Sequence, residues 1–169
     1  MEINKIYNED CLDTMKHMPD NFIDLVVTSP PYDKLRDYKG FTFDFENIAK
    51  ELYRVTKQGG VVVWVVADAT VNGSETGTSF KQALYFKEIG FNLHDTMIYY
   101  RWSGPLTHRR YEQEFEYMFI LVKGKLETFN PIMIDCKYYG IEGDRKGQTY
   151  AIHNIQKRKT HKREYMEIK

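Results

Sequence analysis

An apolar run that breaks at two consecutive prolines constrains this chain more than any other feature: Phe22-Ile-Asp-Leu-Val-Val-Thr-Ser-Pro-Pro-Tyr32. Leu25, Val26 and Val27 form a short continuous apolar segment rich in β-branched residues, which predicts a strand buried on both faces of a parallel sheet. Pro30 and Pro31 have no N–H for a ladder and each restricts the residue before it, so the strand must end near Ser29. A stiff loop is thereby set at a strand's carboxyl end, where open α/β sheets bind their ligands. The prolines also deprive the carbonyls of Ser29 and Pro30 of helical or ladder partners, and Tyr32 puts a flat ring beside them. Acceptors next to a ring suit an unstacked nucleobase, whose exocyclic amino group needs acceptors and whose ring needs a platform. A plain Pro-Pro turn followed by a buried tyrosine is an equally open reading of the same residues.

The rest of the chain alternates strands and helices. Ile3 to Tyr7 alternates and predicts an edge strand, and Asp10 stands at the N-cap position of a helix from Cys11 to Met18 that Pro19 stops. After the proline loop, Asp33 to Gly40 is a polar surface segment suited to fold over a bound nucleotide. Asp44 caps a helix running to about Lys57, with Ile48, Leu52 and Val55 on its buried stripe and Gly59 closing it. Val61 to Val66 is a second apolar strand, and Asp68 follows its carboxyl end, on the rim that Ser29 shares if the strands are parallel.

Gly73-Ser-Glu-Thr-Gly-Thr-Ser79 looks like a phosphate loop but has no Lys before Thr78 and is one residue short of that spacing, which rejects it. Ser79 with Gln82 makes a capping box for a helix through Ile89 that Gly90 ends, with Phe80, Ala83 and Leu84 facing the core. Met97 to Tyr100 and Phe115 to Val122 are two further strands. The pattern predicts an α/β fold: a doubly wound, mostly parallel sheet finished by a C-terminal β-hairpin.

A length of 169 residues allows one domain, and 42% hydrophobic with 28% charged residues is ordinary for a globular chain. The 15% aromatic content is high, and core packing accounts for most of it residue by residue. Net charge is zero, against a general polyanion binder, yet Asp144 to Lys169 carries eight Lys or Arg and three acids, a net +5. Cys11 and Cys136 lack metal-site spacing and imply reduced thiols, no metal and a cytoplasmic compartment. No apolar signal region or membrane-spanning run is present, so no membrane partner is expected.

Thr28-Ser-Pro-Pro-Tyr32 resembles the (D/N/S)PP(Y/F) motif of amino-group DNA methyltransferases, which methylate adenine-N6 or cytosine-N4 with S-adenosylmethionine. The wider run from Asn8-Glu-Asp-Cys-Leu12 through Met18-Pro-Asp20 is similar to the start of their β-ordered group, in which the catalytic half precedes the cofactor-binding half. The match continues through Leu52-Tyr-Arg-Val-Thr-Lys-Gln-Gly-Gly60 to Glu116-Tyr-Met-Phe-Ile-Leu-Val-Lys-Gly124, about three quarters of the chain. It implies an incomplete Rossmann-like fold, with residues 1–124 as catalytic region and 125–169 beginning a target-recognition region. It assigns Ser29, Pro30, Pro31 and Tyr32 to catalysis on a flipped base, and Asp10 with the Cys11 main chain to the cofactor's adenine. Ser at the motif's first position leans to cytosine-N4, although adenine-N6 enzymes with Ser exist in the group.

Double-stranded DNA is the implied partner. Arg109 and Arg110 are placed to contact phosphates, and Trp102, His108 and Tyr111 to stack or wedge into the duplex, with a solvated surface loop as the plainer reading. Lys157 and Arg158 lie in a basic cluster that reads as a phosphate track or a solvated face. No two of the eleven glycines are spaced G-x-G, so the turn that seats the cofactor's methionine end is absent. The chain is then expected to be a piece of a longer enzyme, the simpler account, or to need a second polypeptide. A noncatalytic nucleic-acid-binding module, or methylation of RNA or a protein amide, are the competing expectations.

Overall fold

The computed structural model describes residues 2–31, 43–101, 111 and 113–130. Among these there are three helices and six strands, all in the first of the chain's two units, Met1–Thr128; the second, Phe129–Lys169, lies outside the described residues except for Phe129 and Asn130.

Helix α1, Cys11–Lys16, starts where the extended Asp10 turns its carboxylate back to accept the Leu12 N–H at 2.8 Å, and it buries Met15. Strand β1, Ile23–Thr28, stops one residue before the prolines. Asp44 caps α2, Phe45–Val55, which presents Ile48, Ala49, Leu52 and Val55 as one buried stripe. The helix ends two residues before the expected point, because Thr56 is already extended and opens β2, Thr56–Val66. Gly59 therefore lies inside a strand rather than at a helix end. Ile23 pairs with Thr56 and Leu25 with Val61, so two steps on β1 match five on β2, and Gly59, at φ +75°, turns within that bulge.

Strands β3, Thr70–Val71, and β4, Ser74–Glu75, form a small hairpin over Asn72 and Gly73, both at positive φ. Helix α3 spans Thr78–Glu88, and β5, Phe91–Tyr100, and β6, Phe115–Lys123, complete the main sheet in the order β1-β2-β6-β5. β1 and β2 are parallel, and β6 runs antiparallel to both β2 and β5. Three of the four strands thus point the same way, and the expected α/β sheet with a terminal hairpin is present as a mixed sheet whose one parallel pairing is β1–β2.

The core lies on one face of this sheet. Val62, Trp64 and Val66 of β2 and Phe119 and Leu121 of β6 meet Ala49 and Leu52 of α2 and Ala83 and Phe86 of α3. Phe45, Trp64, Phe86 and Phe91 form a chain of tilted and edge-on rings with centroids 5.0–5.9 Å apart, each pair contributing about 0.5–1.5 kcal/mol beyond its buried area. Core packing is therefore what much of the aromatic content serves.

Three local expectations are corrected. Ile3 to Tyr7 forms no strand, since none of the sheet's edges takes it, and Ile3 and Ile6 stay exposed. Among the described residues β1 is an edge strand, and it is not buried on both faces: Leu25 is 58% and Val27 66% exposed on the side away from the described helices. Ser79 and Gln82 do not form a capping box, and Phe80 and Leu84 are exposed. The buried face of α3 is Ser79, Gln82, Ala83 and Phe86, because its two polar members have partners inside.

Candidate active site

β1 and β2 run in parallel with Thr28 opposite Trp64, so the carboxyl ends of both strands reach the same rim. Ser29 is exposed there, Pro30 is buried and Pro31 half-buried, so the proline corner is anchored while its serine faces solvent. Tyr32 lies outside the described residues, as do Trp102, His108, Arg109, Arg110, Lys157 and Arg158.

The other half of the rim is built by Asp68, two residues beyond the end of β2. The residue is 9% exposed, and its carboxylate accepts from the Ser79 N–H at 3.0 Å, the Ser79 hydroxyl and the Thr76 hydroxyl at 3.2 Å. Three donors satisfy a charge that burial would otherwise penalise heavily. Asp68 so ties the end of β2 to the first turn of α3, and the Thr76 N–H closes the β3–β4 hairpin onto the Ala69 carbonyl at 2.9 Å. Deeper in, the Trp64 indole donates to Gln82 Oε1 at 2.8 Å, which holds α3 in register with β2. Sequence reasoning placed Asp68 on this rim but missed its partners and the hairpin. The Asn72-Gly73 pair was the available signal for the latter.

Asp10 and Cys11 belong to the start of α1 and not to the two strand ends. Asp10 is half-buried, with Oδ1 taken by its cap bond; partial burial and, next, the Asp10 charge push the Cys11 thiol up. The other end of α1 is fastened to α2: Arg54 donates to the Met15 and Met18 carbonyls at 2.7 and 2.8 Å and pairs with Asp20 and Glu51. Among the described residues no cluster of His, Cys, Asp and Glu could hold a metal, and no helix is long and apolar enough to cross a membrane.

The fold and rim define an α/β sheet protein with a proline-anchored polar corner at the carboxyl edge of its parallel strands. Residues 23–168 match the model of the N6/N4 DNA methylases, and the chain belongs to that DNA methylase family. It is 65% identical over 116 residues to the orphan methyltransferase M.BamHII of Bacillus amyloliquefaciens, a match covering 68% of this chain and 44% of that relative. The chain thus spans less than half the length of this curated relative. In three dimensions it is similar to the PvuII DNA methyltransferase, cytosine-N4-specific, with a TM-score of 0.59 at 20% identity over 71% of this chain and 49% of that one. It is also similar to the putative DNA modification methylase TTHA0409 of Thermus thermophilus complexed with S-adenosyl-L-methionine, with a TM-score of 0.54 at 23% identity over 72% and 53%. Both structural likenesses support the fold.

Proposed function

We propose that this chain is the catalytic half of an S-adenosylmethionine-dependent DNA amino-methyltransferase acting on a base flipped out of duplex DNA. The observation that carries the reading is the Ser29-Pro30-Pro31 corner at the carboxyl end of β1 in a chain of the DNA methylase family. Residues 1–124 are the catalytic region and 125–169 the start of target recognition.

The donor set of this chain fits one end of the cofactor. Asp10 keeps Oδ2 to accept from an adenine amino group while Oδ1 caps α1, with the Cys11 main chain beside it. No G-x-G turn is available for the methionine end, so that seat must come from polypeptide beyond these residues. When bound, S-adenosylmethionine supplies the methyl group. The chain's own residues prepare the acceptor: Tyr32 stacks on the extruded ring, and the Ser29 hydroxyl and Pro30 carbonyl accept from the amino group. Those two bonds hold the amino nitrogen's lone pair out of conjugation and aim it, a gain of orientation and electrostatics. Trp102, His108, Arg109, Arg110, Lys157 and Arg158 contact DNA. Cytosine-N4 is the first target to test, by the Ser at the motif's head, and adenine-N6 the second.

The test is transfer of labelled methyl from S-adenosylmethionine to duplex DNA by the chain extended at its C-terminus with the M.BamHII sequence that follows the matched segment. Ser29→Ala and Tyr32→Ala should each lower the rate by about 100-fold or more, the scale of losing one preorganised group. Unchanged rates would sink the reading, and transfer to RNA or protein in parallel reactions, but not to DNA, would reassign the substrate. The absent glycine turn also favours a second reading, a noncatalytic nucleic-acid-binding module, which DNA binding without any methyl transfer would support.

A further inference from the structure

The β3–β4 hairpin is held in place without being packed. Residues 70–75 are all exposed, the hairpin pairs among the described residues only with itself, and a methyl group added at Gly73 or Gly77 would meet no atom of the described residues within 4 Å. A ribbon with two residues in each strand is marginal in water on its own. Here both of its ends are fixed. At the tip, Asn72 and Gly73 take the positive φ values of 51° and 80° that a type I′ turn requires. At the base, Asp68 gathers the Thr76 hydroxyl, the Ser79 N–H and the Ser79 hydroxyl, while the Thr76 N–H bonds to the Ala69 carbonyl. A buried carboxylate thus secures a projection that contributes nothing to the core, and it does so past the carboxyl end of β2, on the rim that carries Ser29.

The side chains on this projection are short and mostly neutral. From Ala69 to Ser79 there is no Lys or Arg and one acid, Glu75, which disfavours phosphate as the partner. Val71, 56% exposed, pairs with Ser74 and so shares a face with it, and Asn72 offers a donor and an acceptor at the tip. Methyl groups, hydroxyls and amides of this size read base edges in a groove, an amide pairing bidentately with adenine, and a two-stranded ribbon is narrow enough to enter.

We propose that the β3–β4 hairpin is a DNA-reading finger: seated beside the Ser29-Pro30 corner, it enters the groove of the duplex next to the extruded base, sets Asn72 and Val71 against base edges, and selects sequence there. The proposal rests on the reading of the chain as part of a DNA amino-methyltransferase. It adds a sequence-selecting element inside the catalytic region, ahead of the segment 125–169 assigned to target recognition.

The test uses the chain extended with the M.BamHII continuation and a pool of random-sequence DNA duplexes. The bound fraction is sequenced, and affinity is read by fluorescence anisotropy over a series of salt concentrations. Asn72→Gly removes the amide and keeps the left-handed turn, and Val71→Ala trims an exposed side chain, so both variants should keep the parent's urea midpoint. Each should lose base preference at one or two positions by about tenfold, the scale of one base-edge contact, with the slope of log affinity against log salt unchanged because no phosphate contact is lost. Unaltered preference in the folded variants, a shallower salt slope, or a parent that binds no duplex would each overturn the proposal. Preference lost in the variants of a parent that transfers no methyl would count against the catalytic reading and leave this one standing. Methyl transfer by a parent whose variants keep its preference would do the reverse.

Discussion

Two acidic residues show how differently a carboxylate can be employed in this chain. Asp68 is buried and receives three donors from the segment after β2, so its removal leaves the Ser79 N–H and hydroxyl, both fully buried, without an acceptor. Asp68→Ala should therefore destabilise the protein by about 2–4 kcal/mol, readable as a lower urea midpoint, with Asp68→Asn costing less because one acceptor oxygen survives. A midpoint unchanged in the alanine variant would contradict the network. Asp10 acts locally instead, as a helix cap whose charge also raises the neighbouring thiol. A raised pKa means less thiolate near neutral pH, so Cys11, although exposed, should alkylate with iodoacetamide more slowly than an unstructured cysteine at about pH 7.5. Asp10→Asn keeps the cap and should speed the reaction, measured in a Cys136→Ser background, but only partly, since burial is the larger cause. The Asp10 cap was legible in the sequence because its acceptor and donor are two residues apart. The bonds of Asp68 were not, because its strongest partner lies eleven residues further on across a hairpin.

Elements are joined by a few long side chains. Arg54, in the last turn of α2, spreads its guanidinium over the Met15 and Met18 carbonyls, Asp20 and Glu51, and so fixes α1 and the approach to β1 against α2. Arg54→Met should cost about 1–3 kcal/mol of unfolding free energy, and Arg54→Lys should recover little of it, because a single ammonium cannot reproduce the fork. Full recovery by lysine would show that charge alone matters. Lys123 plays the corresponding part from β6: its ammonium donates to the carbonyls of Tyr53 and Thr56 at 2.7 and 2.9 Å and to Asn21 at 3.0 Å, at the junction between α2 and β2. The existence of most elements is legible from periodicity, yet the face of α3 is not. Apolar residues at Phe80 and Leu84 point to one buried side, whereas buried acceptors and donors elsewhere turn Ser79 and Gln82 inward.

At the scale of the whole molecule, the strand order sets which parts open first. Among the described residues, β2 and β6 are hydrogen-bonded on both sides, and β1 and β5 on one. In the chain alone, amides of Val62 to Val66 and Phe119 to Val122 should be the slowest to exchange, and those of β1 that point away from β2 should exchange fast. Equal protection across the four strands would contradict this order.

What the sequence determined by itself was local. Strand β1 and its stop before two prolines, the caps at Asp10 and Asp44, the alternation of strands and helices and the motif marking a DNA methylase all depend on bonds and patterns spanning a few residues. Only the tertiary structure decided that β6 inserts antiparallel between β2 and β5, that β1 is an edge and that Asp68 closes the rim. Those outcomes depend on which distant surfaces find partners, and no window of neighbouring residues carries that information.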